Sequence, residues 1–342
     1  MFGFRKGLVA SVVVAASICT GASTSFAASS WEFSEDSVNL GINAVSPHVE
    51  RTNGYDRVWF PSLPSTAVVD CNDSGSCTSV AGVGRLGSDF TAVTLPNGSR
   101  RAYFVEMVPS DGTKTVKTAA CITSDCLSVG PATAISADVA VSTSQLAWGV
   151  PDAVVTPEGK VRVYLVVSPV NNSSCPEKIR SYISDDGISF TQESGYRLEG
   201  GYVDTEVIRA KAGDWLMMTS TGPGCGNGMQ QLFITSSTDG LVWSTPQQLT
   251  AADKRRLDPT AYEISPNVFR VYYSTADSRM TETYTLRRGT LKIGTGSSAS
   301  STSTAKLGAA CTKAGAKASV TIAKKKTTIT CRLVKKKLVW SK

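Results

Sequence analysis

An all-β chain, a five-bladed β-propeller followed by a small disulfide-stapled basic module, is the architecture that this sequence predicts, and three observations predict it. A segment made of an Asp, an apolar stretch, a Gly or Asn turn and an aromatic-rich strand recurs along the chain. Alternating apolar and polar residues broken by turn signals dominate, while helical periodicity is nearly absent. The recurring Asp residues, 89, 152, 204 and 258, stand at intervals of 63, 52 and 54. That period is too long for one hairpin and suits a four-stranded antiparallel sheet with its turns. A β-sandwich is the alternative architecture, but it does not explain why the Asp recurs at one phase.

Taken in order, the 342 residues open on Arg5 and Lys6, an apolar run "LVASVVVAASI", and "STSFA", where Ser25 and Ala27 suit a signal-peptidase site. Residues 1–27 are therefore expected to be a signal peptide, cleaved after Ala27, on a secreted or extracellular protein. The run is shorter than the roughly 20 apolar residues of a bilayer span, and no later segment qualifies. "SSWEFSEDSVNLGI" then reads as a strand that pairs into the last blade and closes the ring. The propeller is expected over residues 28–293.

The first blade, "VSPHVERTNGYDRVWFPSL", keeps the Pro and the turn but has Ser46 at the Asp position, with His48 close behind. The second, "GSDFTAVTLPNGSRRAYFVE", carries Asp89, and the third, "VPDAVVTPEGKVRVYLVVS", carries Asp152. The fourth, "YVDTEVIRAKAGDWLMMTS", carries Asp204, with Glu206 two residues on and so on the same face of the strand. The fifth, "RLDPTAYEISPNVFRVYYST", carries Asp258. Blades three and four also contain "SDDGISF" and "STDGLVW", in which Gly187 and Gly240 supply the positive φ of a tight hairpin. Blades one and two have "CNDSGSC" and "CITSDC" in their place, so a disulfide there closes the hairpin.

Nine cysteines become eight once Cys19 leaves with the signal, an even number suited to an oxidising compartment. The spacing pairs Cys71 with Cys77, Cys121 with Cys126, Cys175 with Cys225 and Cys311 with Cys331. No Cys-x-x-Cys occurs and His48 is the single histidine, so no zinc site is expected. "TGPGCGNGM", residues 221–229, lacks the strand-to-helix setting of a phosphate loop. It reads instead as a loop stapled over one end of the channel through Cys225.

After Ile293 a Gly/Ser/Thr linker covers residues 294–305, and residues 306–342 form a basic tail module. The tail holds ten Lys and Arg332 with no acid. Setting those eleven and the two basic residues of the signal aside leaves 22 basic residues against 28 acidic ones, so the body carries about −6 although the whole chain carries +7. Nucleic acid is excluded as a partner, because its footprint would lie on the folded body. The Cys311–Cys331 bridge would add about 3 kcal/mol to the tail by loop closure. Its charge suits an anionic cell-wall polymer or lipid, and a merely solubilising tail is the alternative.

In a propeller the innermost strand of each blade lines the central channel, so residues at one phase form a ring about the axis. Asp89, Asp152, Asp204 and Asp258 are expected to converge there with Ser46. Carboxyls that are crowded and buried have raised pKa values, and one can stay protonated while another is ionised. Cleavage of a glycosidic bond needs such a pair. Trp148, four residues before Asp152, and Tyr202, two before Asp204, are candidates to stack on a sugar face, or to pack at the rim.

Over residues 31–293 the sequence resembles the five-bladed glycosidases of the arabinanase, xylosidase and invertase-like group, with hairpins similar to the Asp-boxes of sialidases. The resemblance implies three acids: a base on the first inner strand, a pKa-modulating Asp on the third and a general acid on the fourth. Carried over by position, Asp152 matches the modulator and Asp204 the acid, with Glu206 beside it. Ser46 stands where the base belongs, so either His48 or Asp258 replaces it or the protein does not hydrolyse in the manner of this group. Asp152, Asp204, Glu206 and Asp258 are thus the catalytic candidates, and Ser46, His48, Asp89, Trp148 and Tyr202 the substrate-binding ones. The implied activity is glycoside hydrolysis on a polysaccharide or glycan without a cofactor. The alternatives are a lectin-like propeller, whose acids bind hydroxyls or a structural calcium, and an extracytoplasmic scaffold.

Overall fold

The computed structural model describes residues 30–62, 65–84, 86–107, 114–135, 146–168, 175–226, 228–278, 283–294, 317–322, 325–334 and 337–341. The expected signal peptide, Cys311 and nearly all of the expected linker lie outside them. No helix among the described residues is long and apolar enough to cross a membrane.

Strand β1 (Trp31–Glu35) comes first in the chain but belongs to the last blade. Blade one is the meander β2 (His48–Thr52), β3 (Tyr55–Ser62), β4 (Ser65–Cys71) and β5 (Cys77–Ser79). Blade two follows as β6 (Ser88–Thr94), β7 (Arg100–Met107), β8 (Lys114–Ala120) and β9 (Thr133–Ala134). Blade three has β10 (Leu146–Val155), β11 (Val161–Ser168), β12 (Lys178–Ser184) and β13 (Thr191–Gln192), and β14 (Leu198–Glu199) also pairs with β12. Blade four is β15 (Tyr202–Arg209), β16 (Trp215–Thr221), β17 (Leu232–Ser237) and β18 (Gln247–Gln248). Blade five contributes β19 (Arg255–Ser265), β20 (Val268–Ala276) and β21 (Thr285–Ile293), and β1 pairs antiparallel with β21 to complete it. The five inner strands contact one another in a closed circle, so the chain is a five-bladed β-propeller. A separate three-stranded antiparallel sheet, β22 (Lys317–Ile322), β23 (Lys325–Val334) and β24 (Lys337–Ser341), forms in the tail.

The apolar core divides into five clusters, each packed between adjacent blades. Trp59 and Val68 of blade one meet Leu86 and Phe104 of blade two, and Tyr103 meets Val161 and Leu165 of blade three. Tyr164 and Ile179 meet Val207 and Trp215 of blade four, and Met218 and Ile234 meet Phe269 and Tyr273 of blade five. Tyr272 and Leu286 meet Val49 and Val58 and bring the circle back to blade one. Buried tyrosines add polar ties across these interfaces. Tyr103 donates to the Gly187 carbonyl (2.9 Å) and Tyr164 to the Gly240 carbonyl (2.8 Å), each carbonyl lying in the next blade's outer turn.

Those turns follow the sequence expectation. Asp186 Oδ1 accepts from the Ile188 and Ser189 N–H groups, and Asp239 Oδ1 from Leu241 and Val242. At the same place in blades one and two, disulfides join Cys71 to Cys77 and Cys121 to Cys126. Cys175 is joined to Cys225, which links blades three and four. Cys331 is also disulfide-bonded; its expected partner Cys311 lies outside the described residues. These bridges fit a non-cytoplasmic, oxidising compartment.

Candidate active site

Four inner strands share one irregularity. Their register with the second strand jumps from Ser88 to Thr91, Gly149 to Asp152, Val203 to Glu206 and Leu257 to Thr260. Inside each jump sits a non-glycine residue of positive φ: Asp89 (50°), Val150 (40°), Asp204 (56°) and Asp258 (51°). Ser46 (47°) occupies the corresponding place ahead of β2. A bulge of this kind bends the strand and re-aims a side chain, and each left-handed residue costs on the order of 1–3 kcal/mol. The consequence is a first ring of Ser46, Asp89, Val150, Asp204 and Asp258 around the hub.

Two residues further on lies a second ring, His48, Thr91, Asp152, Glu206 and Thr260, paired in turn with Trp59, Tyr103, Tyr164, Met218 and Tyr272. Asp152 therefore does not share the phase of the other three aspartates, as the sequence alignment had it. It is equivalent to Glu206, and the third blade's member of the first ring is Val150. The phase was readable from proline: Pro47, Pro151 and Pro259 each follow the first-ring residue.

The whole first ring and, from the second, His48, Thr91, Asp152 and Glu206 line one cavity of about 30 Å³, room for two or three waters. Ser46, His48, Asp89, Asp152, Asp204, Glu206 and Asp258 all face it. Asp89 is half-buried, while His48, Asp152, Asp204, Glu206 and Asp258 are buried. Tyr202 does not line the cavity; it is half-buried, edge-on to Phe233 at 5.4 Å. Trp148 lies on β10, and its side chain is outside the described residues.

The hub acids span neighbouring blades. Asp152 accepts from the Val207 N–H (2.6 Å) and the Thr91 hydroxyl (3.0 Å). Glu206 accepts from the Ala261 N–H (3.0 Å), and Thr260 Oγ1 accepts from the Val49 N–H (3.1 Å). In the first ring Asp204 accepts from the Ser220 hydroxyl and the Asp258 N–H, and Asp258 from the Ser46 N–H (2.8 Å). Buried N–H groups need such acceptors, so these carboxyls hold the propeller together whatever else they do. Val150 interrupts the first belt between blades three and four.

Burial also sets their protonation. It pushes Asp152 up to about 6 against the pull of the Val207 N–H. Burial, and then the charge of Asp152, drive Glu206 well above the ordinary range. Asp204 and Asp89 are raised by burial, and Asp258 is raised further by burial and the Asp204 charge. His48 packs tilted against Trp59 at 5.6 Å and edge-on to Phe90 at 5.5 Å, with Nε2 3.4 Å from Glu50 Oε1. Burial opposes ionisation of Glu50, yet His48 and Arg100 hold its carboxyl below the ordinary value.

Sequence reasoning missed Glu50 and the buried Glu177 next to the Cys175–Cys225 bridge. The His-x-Glu spacing on a strand was a usable signal for Glu50. For Glu177 the signal was its place two residues after Cys175. Among the described residues no group of three or more His, Cys, Asp and Glu is placed to hold a metal ion.

No protein-family model matches the chain, and no curated protein matches it in sequence. Solved structures do resemble it. A thermostable family-43 glycoside hydrolase superposes with a TM-score of 0.56 at 13% identity, over 74% of this chain and 91% of that one. An endo-arabinase from Bacteroides thetaiotaomicron gives 0.53 at 10% identity, over 75% and 96%. The GH43_1 enzyme from Xanthomonas citri, solved with xylotriose, gives 0.52 at 12% identity, over 74% and 89%. At such identities the likeness is one of fold: the chain has the five-bladed β-propeller architecture of the arabinanase and xylosidase type of glycoside hydrolase.

Proposed function

We propose that the protein is a secreted, glycoside hydrolase-like propeller that acts on a polysaccharide or glycan at its hub, with Asp204 as proton donor and His48 as base. The observation that carries this reading is that Asp204 and His48 line the same cavity. Asp204, whose carboxyl burial raises above its ordinary value, is the proposed source of the proton that a departing glycosidic oxygen must receive as its bond to the anomeric carbon breaks. A water entering from the other side gives its proton to His48, steadied by Glu50, and its oxygen bonds to the anomeric carbon. Asp152, Glu206 and Asp258 shape the field around this pair, and Ser46 and Asp89 border it. Trp148 is proposed to flank the sugar, a role that Tyr202, which lies off the cavity, does not share.

A lectin-like second reading draws on a specific observation. The first-ring places of the base and the modulator are filled by Ser46 and Val150, neither of which is a carboxylic acid. The expected basic tail would hold either kind of protein on anionic wall polymer, an attraction that weakens toward about 0.5 M salt.

The deciding experiment assays arabino-, xylo-, fructo- and sialo-oligosaccharides with the wild type, Asp204→Asn, His48→Gln and Ser46→Asp. Hydrolysis should fall by about 10²-fold or more in the first two variants while sugar binding persists. Ser46→Asp should raise hydrolysis. Binding without turnover in both the wild type and Ser46→Asp decides for the lectin, and absence of both binding and turnover rejects the two readings together.

A further inference from the structure

We propose that the end of the propeller opposite the hub cavity docks on an anionic lipid surface, with one apolar tip from each blade entering the lipid and the basic tail supplying the charge. The inference goes beyond the reading of the hub and does not depend on it.

Ser46, Asp89 and Asp204 line the cavity from the entry ends of β2, β6 and β15. Each blade is an antiparallel meander, so the turn after its first strand and the turn after its third both fall at the opposite end. Five large apolar residues of the propeller are exposed among its described residues: Tyr55 (47%), Ile122 (69%), Ile188 (40%), Val242 (76%) and Ile264 (45%). Tyr55 opens β3 and Ile264 is the last residue but one of β19, so both flank first turns. Ile122, Ile188 and Val242 follow the third strands β8, β12 and β17. All five therefore lie at the end away from the cavity, one in each blade. Isolated exposed apolar residues are ordinary on a protein surface, but scatter would share them between both ends and would not give one to every blade.

The outer tips are prepared to leave water. An N–H carried into lipid needs its hydrogen bond inside the protein, and these three have theirs. The Ile122 N–H donates to the Ser128 carbonyl (2.8 Å), the Ile188 N–H to Asp186 Oδ1 (2.7 Å) and the Val242 N–H to Asp239 Oδ1 (2.9 Å). Three acids at this end that would otherwise repel an anionic surface are paired: Asp73 with Arg51 (3.0 Å), Asp125 with Arg57 (2.9 Å) and Asp185 with Lys160 (2.8 Å). β21 also ends here, so the chain leaves for the tail from the same face at Ile293. That tail has eleven basic residues and no acid, and Leu333, beside its Lys335–Lys337 run, is exposed. Binding to a bilayer surface grows with the apolar area buried and with the attraction of basic residues to anionic lipid. The blade tips supply the first and the tail the second. A polysaccharide or a soluble polyanion offers the tips nothing, so lipid is the surface that uses both. Seated this way, the protein turns its hub cavity to the solvent.

The test sediments the full chain with vesicles of phosphatidylglycerol and phosphatidylcholine, sediments it with vesicles of phosphatidylcholine alone, and titrates it with soluble polyphosphate. The wild type should bind the anionic vesicles and bind the neutral ones far more weakly. Ile122→Ser combined with Val242→Ser, both at exposed positions, should weaken vesicle binding about tenfold and leave polyphosphate binding unchanged. In Val242→Trp, tryptophan emission should move to the blue on anionic vesicles by more than it does in the wild type. Vesicle binding untouched by the double substitution, or no added blue shift in Val242→Trp, overturns the proposal. Binding to polyphosphate without binding to vesicles also overturns it and leaves the tail to a polymer. Self-association that the double substitution abolishes, without vesicle binding, overturns it in favour of a second copy of the chain.

Discussion

Asp258 shows how much a single hub residue governs. It is buried, its carboxyl is hydrogen-bonded to that of Asp204, and it is raised well above the ordinary carboxylate value. In the unfolded chain it ionises near pH 4, while in the folded protein it keeps its proton to a much higher pH. The unfolded state thus sheds a proton that the folded state retains, and stability falls as pH rises from about 4 through the folded pKa. Asn cannot ionise, yet it can still donate toward Asp204 and accept the Ser46 N–H. Asp258→Asn should therefore match the wild type near pH 3 and exceed it at pH 7 in urea unfolding. Parallel stability curves for the two proteins across that range would refute a neutral Asp258. At this scale the sequence was only partly legible. The recurrence of Asp marked the hub, but the bulge that leaves two residues unpaired in β6, β10, β15 and β19 decides which residue belongs to which ring. An Asp displaced by two positions, as Asp152 is, keeps its side of the strand, so alternation alone could not separate it from Asp204.

At the scale of the element, the outer turns solve one problem in two chemistries. In blades three and four the Ser-x-Asp-Gly turn is built from hydrogen bonds: Ser184 Oγ accepts from Gly187 N–H (2.9 Å) and Ser237 Oγ from Gly240 N–H (2.9 Å). In blades one and two a covalent bond does the same work. Both were legible because they need residues close in sequence. The tyrosine ties from Tyr103 and Tyr164 were not, since their partners lie 84 and 76 residues away. The two chemistries should also differ in vulnerability. Replacing both Cys121 and Cys126 with Ser opens a loop whose closure is worth about 2 kcal/mol, whereas Ser184→Ala removes one cap worth about 1 kcal/mol. Chemical unfolding of the two variants should rank them in that order. Equal losses would mean that the disulfide adds nothing beyond the turn it closes.

For the whole molecule the decisive feature is that the first described strand and the last propeller strand share a sheet. β1 pairs with β21 along its length, from Trp31 opposite Ile293 to Glu35 opposite Gly289. Its main chain at Trp31 is also gripped by the Gln247 side chain of blade four, N–H to Oε1 at 2.9 Å and Nε2 to carbonyl at 2.7 Å. Phe33 and Trp31 then pack on Tyr273 and Phe269. This closure was readable in "SSWEFSEDSVNLGI" because five repeats contain one strand too few without it. Its energetic weight was not, since it depends on which N–H groups point inward. Gly294 donates to the Ser30 carbonyl and Asp36 to the Arg288 carbonyl, so the two-residue alternation of an antiparallel ladder turns the Ser34 N–H toward β21. Proline at 34 deletes that bond in the middle of the closing strand, leaves an acceptor on β21 unpaired and bares a sheet edge. Ser34→Pro should therefore cost on the order of 2 kcal/mol and broaden the unfolding transition, while Ser34→Ala, which keeps the N–H, should be close to neutral. Thermal unfolding together with limited proteolysis near residues 30–36 would read both effects. Equal stability of the proline and alanine variants would show that the circle is held by the hub belts and the interface between blades five and one rather than by its terminal strand.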